Sequence, residues 1–232
     1  MEGLQIRGLQ ASYGSAVILT GVDLEVGPGE VVGLVGRNGA GKTTTLRAIS
    51  GMIPRRAETL TFDGETLSTQ PYRVARRGVV QVPEGRGVLR GLSVEENLAF
   101  GAAAAGKPAG ASERDQVLAW FPILRAMVQR KGGLLSGGEQ QMLAIARGLM
   151  AKPRLLMVDE MSLGLSPRAV RDVLGAVLSA CREGGVALLM VDQNLRSLAA
   201  HCDRLYVLAG GRTTCYEDPG NRTDEFWQTV YF

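Results

Sequence analysis

The hydrophobic pattern of the amino-terminal third predicts strands of two kinds. Apolar and polar residues alternate at 4–6 and 22–26, as they do in half-buried antiparallel strands. The mainly apolar runs at 31–35 and 79–82 lack this alternation and predict buried strands, and a further short strand is predicted near 60–62. We therefore expect a sheet with an antiparallel part and a buried part.

The remaining pattern is helical at first and then alternates. A helical, alanine-rich pattern covers residues 93 to about 133, interrupted at 106–110, and we interpret it as a helical lobe inserted into the sheet. A further helix is predicted from 137 to about 150, and residues 221–232 give only a weak indication of a terminal helix. Between them, strand–helix alternation predicts parallel strands with helical crossovers. The alternating elements are strands at 154–158, 186–191 and 204–208 and helices at 167–182 and 195–200.

Composition and charge narrow the classes of function. Apolar residues make up 45% of the 232 residues and charged residues 21%, which is typical of a soluble globular protein. The net charge of +3 does not indicate nucleic-acid binding. For the cluster Arg73, Arg76 and Arg77, a solvated helix face is favoured over contact with anionic lipid headgroups.

Targeting signals and cysteines suggest the compartment. The 3 cysteines have no metal-binding spacing, which favours a reduced, cytosolic chain. The sequence shows no secretion signal, and no apolar run approaches the roughly 18 residues of a membrane-spanning helix. We expect a chain that does not cross a membrane by itself.

Residues 36–43 read Gly-Arg-Asn-Gly-Ala-Gly-Lys-Thr, the G-x-x-x-x-G-K-[ST] pattern of a phosphate-binding loop. The loop lies between the strand predicted at 31–35 and a helix predicted at 44–49, which is the context that the motif requires. A chance glycine-rich turn would not need these flanking elements. Lys42 supplies a cation for the outer phosphates, and the Thr43 hydroxyl is a candidate Mg²⁺ ligand. The candidate nucleotide-binding residues here are Gly36, Asn38, Gly39, Ala40, Gly41, Lys42, Thr43 and Thr44.

An apolar strand ending in two carboxylates provides the next candidates. The predicted strand delivers Asp159 to the edge of the sheet, where it could hold Mg²⁺ directly or through water. Glu160 follows and is placed to polarise an attacking water. An apolar run that ends in Asp-Glu is often only a strand entering a loop, but the upstream phosphate loop favours the functional interpretation.

The segment 135–141, Leu-Ser-Gly-Gly-Glu-Gln-Gln, opens a helix and offers a second anion site. Ser136 adds a hydroxyl donor, and Gly137 and Gly138 expose backbone N–H groups. Two phosphate-type sites in one chain allow two arrangements. Either both sites contact one nucleotide within the same chain, or the two sites contact a nucleotide from two different chains.

The phosphate loop, the motif at 135–140 and the strand ending at Asp159 and Glu160, in this order, resemble the ATP-binding cassette (ABC) ATPases. The resemblance extends to about Gly211. It implies an α/β P-loop NTPase cassette, 1–232, with a mostly parallel core sheet and an amino-terminal antiparallel β subdomain. The implied RecA-like core with the antiparallel part comprises residues 1–84 and 152–232, and the inserted α-helical lobe, with the signature helix, comprises about 85–151.

In that family two cassettes form a head-to-tail dimer around ATP and Mg²⁺. The resemblance implies that the partner cassette, identical or paralogous, receives the signature residues Ser136, Gly137, Gly138 and Gln140. It also implies that Lys42 and Glu160 are catalytic.

Further segments resemble one branch, the ATP-binding subunits of branched-chain amino-acid importers, whose relatives serve urea and short amides. The branch implies two transmembrane permease subunits, a solute-binding protein and a peripheral position on the cytoplasmic face of the inner membrane. The wider family places contacts to the permeases at 84–97, and we expect Val88, Leu89 and Leu92 to contribute there. The segments are 82–86, 94–98, 135–146, 162–165 and 192–194.

Some positions differ from the residues that are usual in the wider family, and others match a family position whose role is known. Glu84 stands where most cassettes have glutamine, and its carboxylate is a candidate to bind Mg²⁺ or to remain water-linked to it. Gln193 replaces the usual switch histidine and could donate a hydrogen bond to the γ-phosphate. His201 is interpreted as structural. Tyr13 stands where the family stacks an aromatic ring on adenine.

Two other classes of protein compete with a transport ATPase. One is a soluble ABC protein that acts as a nucleotide switch, such as an assembly or translation factor, although those in translation and several other classes carry two cassettes on one chain or large insertions. The other is a GTPase or small-molecule kinase, but the chain has no Asn-Lys-x-Asp guanine motif, and the segment 135–140 would remain unexplained.

Overall fold

A computed structural model describes residues 2–104, 106 and 110–231. Within this part of the chain, one mixed sheet of 11 strands organises the molecule. The strands are β1 (Leu4–Tyr13), β2 (Ala16–Val26), β3 (Val31–Val35), β4 (Arg55–Arg56), β5 (Thr59–Phe62), β6 (Glu65–Thr66), β7 (Val79–Val82), β8 (Leu155–Asp159), β9 (Ala187–Asp192), β10 (Arg204–Ala209) and β11 (Arg212–Glu217).

The sheet has a parallel core and an antiparallel extension. Strands β10, β3, β9, β8 and β7 are parallel neighbours in that order, so their carboxyl ends lie at one edge. Strands β6, β5, β1 and β2 form the antiparallel part, and β4 pairs with β1. A single parallel bridge between Arg212 and Gly21 joins β11 to β2. Because the central strands β3, β8 and β9 are buried along their whole length, both of their faces need cover.

Helices supply that cover. The first helix has its inward side chains in the cluster on one face of the sheet, whereas the helices of the inserted segment and the long helix after β8 contribute to the cluster on the other face. Along β8 the buried side chains alternate between the two clusters. The helices are α1 (Lys42–Ile49), α2 (Pro71–Arg76), α3 (Val94–Ala104), α4 (Ala111–Trp120), α5 (Pro122–Arg125), α6 (Gly137–Met150), α7 (Pro167–Gly184), α8 (Leu195–Ala199) and α9 (Asp224–Tyr231).

Several predicted boundaries differ from the observed ones. The antiparallel strands are longer than 4–6 and 22–26, because β1 and β2 continue into an exposed hairpin that has no clean alternation. Helix α7 runs past 182 to Gly184 and ends where Gly185 takes a left-handed conformation at φ 63°. The sequence analysis missed β11, whose side chains are mostly exposed or half-buried and therefore carry no apolar run.

The predicted interruption and terminal helix fall partly outside the described residues. Residues 107–109 of the predicted interruption are not described, and α3 and α4 flank it. Helix α9 lies in the predicted terminal segment, of which Phe232 is not described. The bounds of the helical lobe, about 85–151, stay a prediction.

Candidate functional site

The phosphate loop lies between β3 and α1, at the carboxyl edge of the parallel strands. Its glycines are required by the backbone. A Cβ on Gly36 would lie 2.8 Å from the carbonyl oxygen of Leu208, and Gly39 and Gly41 have φ angles of 81° and 107°. The loop can therefore turn its N–H groups inward. Of the other predicted residues, Asn38 is exposed, Ala40 half-buried and Thr44 buried.

Lys42 is buried at the first position of α1. Its Nζ donates to the carbonyl oxygens of Gly36 at 2.9 Å and Arg37 at 3.4 Å. It also forms an ion pair with Glu160, with 3.6 Å between Nζ and Oε1, and the two side chains are 4% and 15% exposed. The cation of the phosphate loop and the predicted base thus lie side by side.

Asp159 ends β8 as a buried carboxylate whose two oxygens have no hydrogen-bond partner among the described residues. Burial raises its pKa to about 6; the nearby Thr43 hydroxyl and Lys42 counteract this shift, whereas the charges of Glu160 and Glu84 add to it. Although Thr43 favours the ionised form, neither Asp159 oxygen is in hydrogen-bonding geometry with a described donor. An orphaned buried carboxylate of this kind is suited to a cation.

The donor set around Asp159 fits a hard divalent cation bound with nucleotide. Because the described residues contain no group of three or more His, Cys, Asp or Glu residues that could hold a metal, these side chains alone do not provide a complete set of ligands. The carboxylate of Asp159 and the hydroxyl of Thr43 supply oxygen ligands, and phosphate oxygens and water would complete the set. Glu84 lies on the exposed loop after β7, within electrostatic range of Asp159.

Asp159→Asn is expected to stabilise the nucleotide-free chain near pH 7 by about 2–3 kcal/mol. The Asp159 pKa is raised in the folded state, so its contribution favours folding below about pH 4 and is lost as the pH rises through about 6. We expect the unfolding free energy, measured by denaturant titration, to fall less steeply between pH 4 and 7 in the variant than in the wild type. Identical slopes would contradict an unpaired buried carboxylate.

Glu160 and Gln193 follow adjacent strands, β8 and β9, so the structure brings both to the edge that bears the phosphate loop. Glu160 has a left-handed backbone with φ 42°, and its N–H donates to the carbonyl oxygen of Val191 at 2.8 Å. Gln193 is exposed. His201 is exposed and follows α8, whereas Gln193 precedes this helix.

Ser136 caps the amino terminus of α6 in a capping box. Its Oγ accepts from the N–H of Glu139 at 3.4 Å, and the Glu139 carboxylate accepts from the N–H of Ser136 at 2.7 Å. Ser136 is exposed. Gly137 and Gly138 are closely packed, since a Cβ on either would lie 3.2 Å from a neighbouring side chain, which would have to shift slightly.

Gln140 is oriented into its own chain. Its Nε2 donates to the carbonyl oxygens of Gly132 at 3.2 Å and Leu135 at 3.1 Å. Arg86, a residue to which the sequence analysis gave no role, donates to the Oε1 of Gln140 at 3.4 Å and to the carbonyl oxygen of Leu163 at 3.5 Å. Arg86 thus links the loop after β7 to the start of α6. No simple sequence signal indicates this link.

Tyr13 lies at the end of β1, and 42% of the residue is exposed. The guanidinium of Arg47, on the last turn of α1, donates to its hydroxyl at 3.3 Å. The ring therefore lies beside the helix that begins at the phosphate loop, with one surface open to solvent.

The sequence profile of ABC transporters matches residues 19–162. The chain belongs to the ABC transporter family. It is 40% identical over 206 residues to the high-affinity branched-chain amino acid transport ATP-binding protein BraG of Pseudomonas aeruginosa, with 88% of each chain covered. It is 32% identical to the lipopolysaccharide export system ATP-binding protein LptB of Escherichia coli K12, over 100% of this chain and 97% of the relative.

Solved ABC cassettes share the fold. The ADP-bound cassette MJ1267 superposes with a TM-score of 0.82 at 26% identity, covering 94% of this chain and 91% of that one. A nucleotide-free cassette gives a TM-score of 0.84 at 24% identity, covering 99% and 95%. The predicted P-loop NTPase fold and ABC family are confirmed, and the cassette is a nucleotide-binding subunit of the class of ATPases that hydrolyse ATP to drive transport.

Among the described residues, the cassette has no helix with the length and apolar character needed to cross a lipid bilayer.

Proposed function

We propose that this cassette binds and hydrolyses ATP as the motor subunit of an importer for branched-chain amino acids or related small solutes. The convergence of Lys42, Asp159 and Glu160 on the phosphate loop carries the hydrolytic part of the proposal. The solute class is supported by the identity to BraG and by 35% identity to the probable branched-chain amino acid transport ATP-binding protein LivF of Archaeoglobus fulgidus. The similarity to LptB makes an export system the competing assignment.

The proposed chemistry is in-line attack of water on the γ-phosphate. Glu160 orients and polarises the water, while Lys42 and the loop N–H groups hold the phosphates. Gln193 donates its amide N–H toward the γ-phosphate from the end of β9. Mg²⁺, held by Thr43 and Asp159 with Glu84 nearby, would neutralise phosphate charge when bound. Positioning and charge neutralisation supply most of the rate.

We propose that the site is completed by a second cassette in a head-to-tail dimer. Ser136 is exposed, and its Oγ acts as an acceptor in the capping box, so its hydroxyl proton remains able to donate to a phosphate. The amino terminus of α6 adds a positive dipole end and the N–H groups of Gly137 and Gly138. Because Gln140 is held within its own chain, we assign it to shaping this surface.

A complementation experiment tests the shared site. Mixing Lys42→Ala and Ser136→Arg chains should restore roughly a quarter of wild-type ATP turnover, because half of random dimers are mixed and each contains one intact site. Mixing Lys42→Ala with Glu160→Gln is the matched control, since both lesions affect the phosphate-loop side and no intact site forms. A steady-state ATPase assay that shows no recovery in the first mixture would contradict a composite site between copies.

We propose that the pair of cassettes docks against two permease subunits at the cytoplasmic face of the inner membrane, with a solute-binding protein as an indirect partner. A groove of about 320 Å³ lies between the core and the inserted helices, and Leu89 and Phe100 line it. Phe100 is 54% exposed. The groove overlaps the predicted contact segment 84–97, in which Val88 and Leu92 are half-buried.

Isolation of the native assembly tests the partners and the solute. A tagged chain purified from source membranes should carry two multi-span subunits, and vesicles containing the assembly should accumulate leucine when ATP is supplied. Isolation without membrane subunits would instead support the nucleotide-switch alternative. Lipopolysaccharide transport without leucine uptake would support the export assignment.

A further inference from the structure

Two neighbouring strands of the core carry the same five residues. Both β8 at 155–159 and the last five residues of β9 at 188–192 read Leu-Leu-Met-Val-Asp. The strands are parallel, but Asp159 lies opposite Val191, so the repeat is shifted by one residue. Since successive side chains point to opposite faces of a sheet, Asp159 and Asp192 lie on opposite faces. The sequence repeat therefore does not repeat the chemistry.

Asp192 is buried, with 4% of its surface exposed, and its two oxygens accept several hydrogen bonds. Oδ2 accepts from the N–H of Ser162 at 3.1 Å, and Oδ1 accepts from the Ser162 hydroxyl at 2.9 Å. Oδ1 also accepts from the N–H of Asn194 at 3.0 Å. One carboxylate thus ties the turn after Glu160 to the turn that contains Gln193.

The turn at Glu160 needs such support. A non-glycine residue with φ 42° has a strained backbone, which persists only where its surroundings hold it. On one side, the N–H of Glu160 is bonded to Val191. On the other side, Ser162 is bonded to Asp192 through both its backbone and its side chain. Both supports come from the end of β9.

We propose that Asp192 is a positioning residue for ATP hydrolysis, which holds Glu160 and Gln193 in a fixed mutual geometry. This inference rests on the proposed function, in which these two side chains act on the water and the γ-phosphate. Asp192 does not touch the nucleotide in this scheme. It acts through Ser162 and Asn194 on the loops that bear the two acting residues.

Asp192→Asn tests the proposal with little change in volume. The amide keeps one acceptor oxygen but places an NH₂ donor against a donor at Ser162. We expect kcat for ATP to fall about 10- to 100-fold while KM stays within about threefold, because a shift of about 1 Å at the reacting groups costs rate rather than ground-state binding. Ser162→Ala, which keeps the backbone bond, should lower kcat less.

A matched control and a double variant separate positioning from general stability. Ser166→Ala is the matched control, because it removes another serine hydroxyl that accepts a backbone hydrogen bond. Ser166 caps α7, and its Oγ accepts from the N–H of Ala169. We expect this variant to have a lower melting temperature and an unchanged kcat. In the Glu160→Gln background, Asp192→Asn should cause little further loss, since the residue through which it acts is already disabled.

The outcomes distinguish two failures. If Glu160→Gln lowers turnover but Asp192→Asn changes only the melting temperature, the positioning role is wrong and the proposed hydrolytic site stands. Additive losses of Asp192→Asn and Glu160→Gln would also overturn the positioning role. If Glu160→Gln itself leaves turnover unchanged, the proposed base assignment fails first.

Discussion

Glu160→Gln is expected to lower ATP turnover by about 100- to 10,000-fold while preserving ATP binding. An amide does not accept a proton from the attacking water, so the step assigned to Glu160 is lost. The substitution also removes the negative partner 3.6 Å from Lys42, which leaves that cation available to the phosphates. We therefore expect ATP to bind at least as tightly as in the wild type and ATP-bound dimers to accumulate.

Two measurements check this result on the same preparation. Single-turnover hydrolysis reports the chemical step, and size-exclusion chromatography with Mg²⁺ and ATP reports the dimer. Glu183→Gln is the matched control. Glu183 is an exposed residue that accepts a hydrogen bond from the Trp120 indole at 2.7 Å, and glutamine can still accept this bond. Wild-type turnover in Glu160→Gln would rule out the assigned base.

Lys42→Ala is expected to lower ATP affinity about 10- to 100-fold and to abolish measurable turnover. The loss in affinity corresponds to charge-assisted hydrogen bonds worth about 1.5–3 kcal/mol. The buried ammonium is also the positive charge beside Glu160 and close to Asp159. Its removal leaves these carboxylates to repel the incoming triphosphate.

Fluorescent-nucleotide titration and steady-state hydrolysis measure the two effects. Lys152→Ala is the matched control for removal of a lysine, since Lys152 is 53% exposed in a surface ion pair with Glu113. We expect its ATP affinity to match the wild type within about twofold. Equal loss of affinity in both variants would assign the effect to net charge rather than to the phosphate loop.

The family and the fold were predicted mainly from local sequence motifs. The phosphate loop requires a strand before it and a helix after it, and β3 and α1 are found there. The long apolar runs predicted the buried core strands because a strand covered on both faces has no polar side. The roles of the predicted site residues and the bounds of the lobe stay predictions, as does the solute.

Elements without a hydrophobic signal escaped the sequence analysis. Strand β11 pairs with β10 through backbone bonds, although its side chains are largely exposed or half-buried. Arg86 reaches its partners on α6 and the loop after β8 only because the chain folds these segments together. Such long-range contacts leave no periodic pattern in the sequence.

The sequence by itself determined the backbone chemistry of the phosphate loop and the apolar strands that deliver carboxylates to one edge. Tertiary structure alone decided what each carboxylate does. Asp159 and Asp192 end identical pentapeptides, but a one-residue shift in strand register turns them to opposite faces of the sheet. Within the described residues, Asp159 has no hydrogen-bond partner and suits a cation, whereas Asp192 accepts hydrogen bonds from Ser162 and Asn194. The groups that face each carboxylate are set by packing between segments that are distant in the sequence.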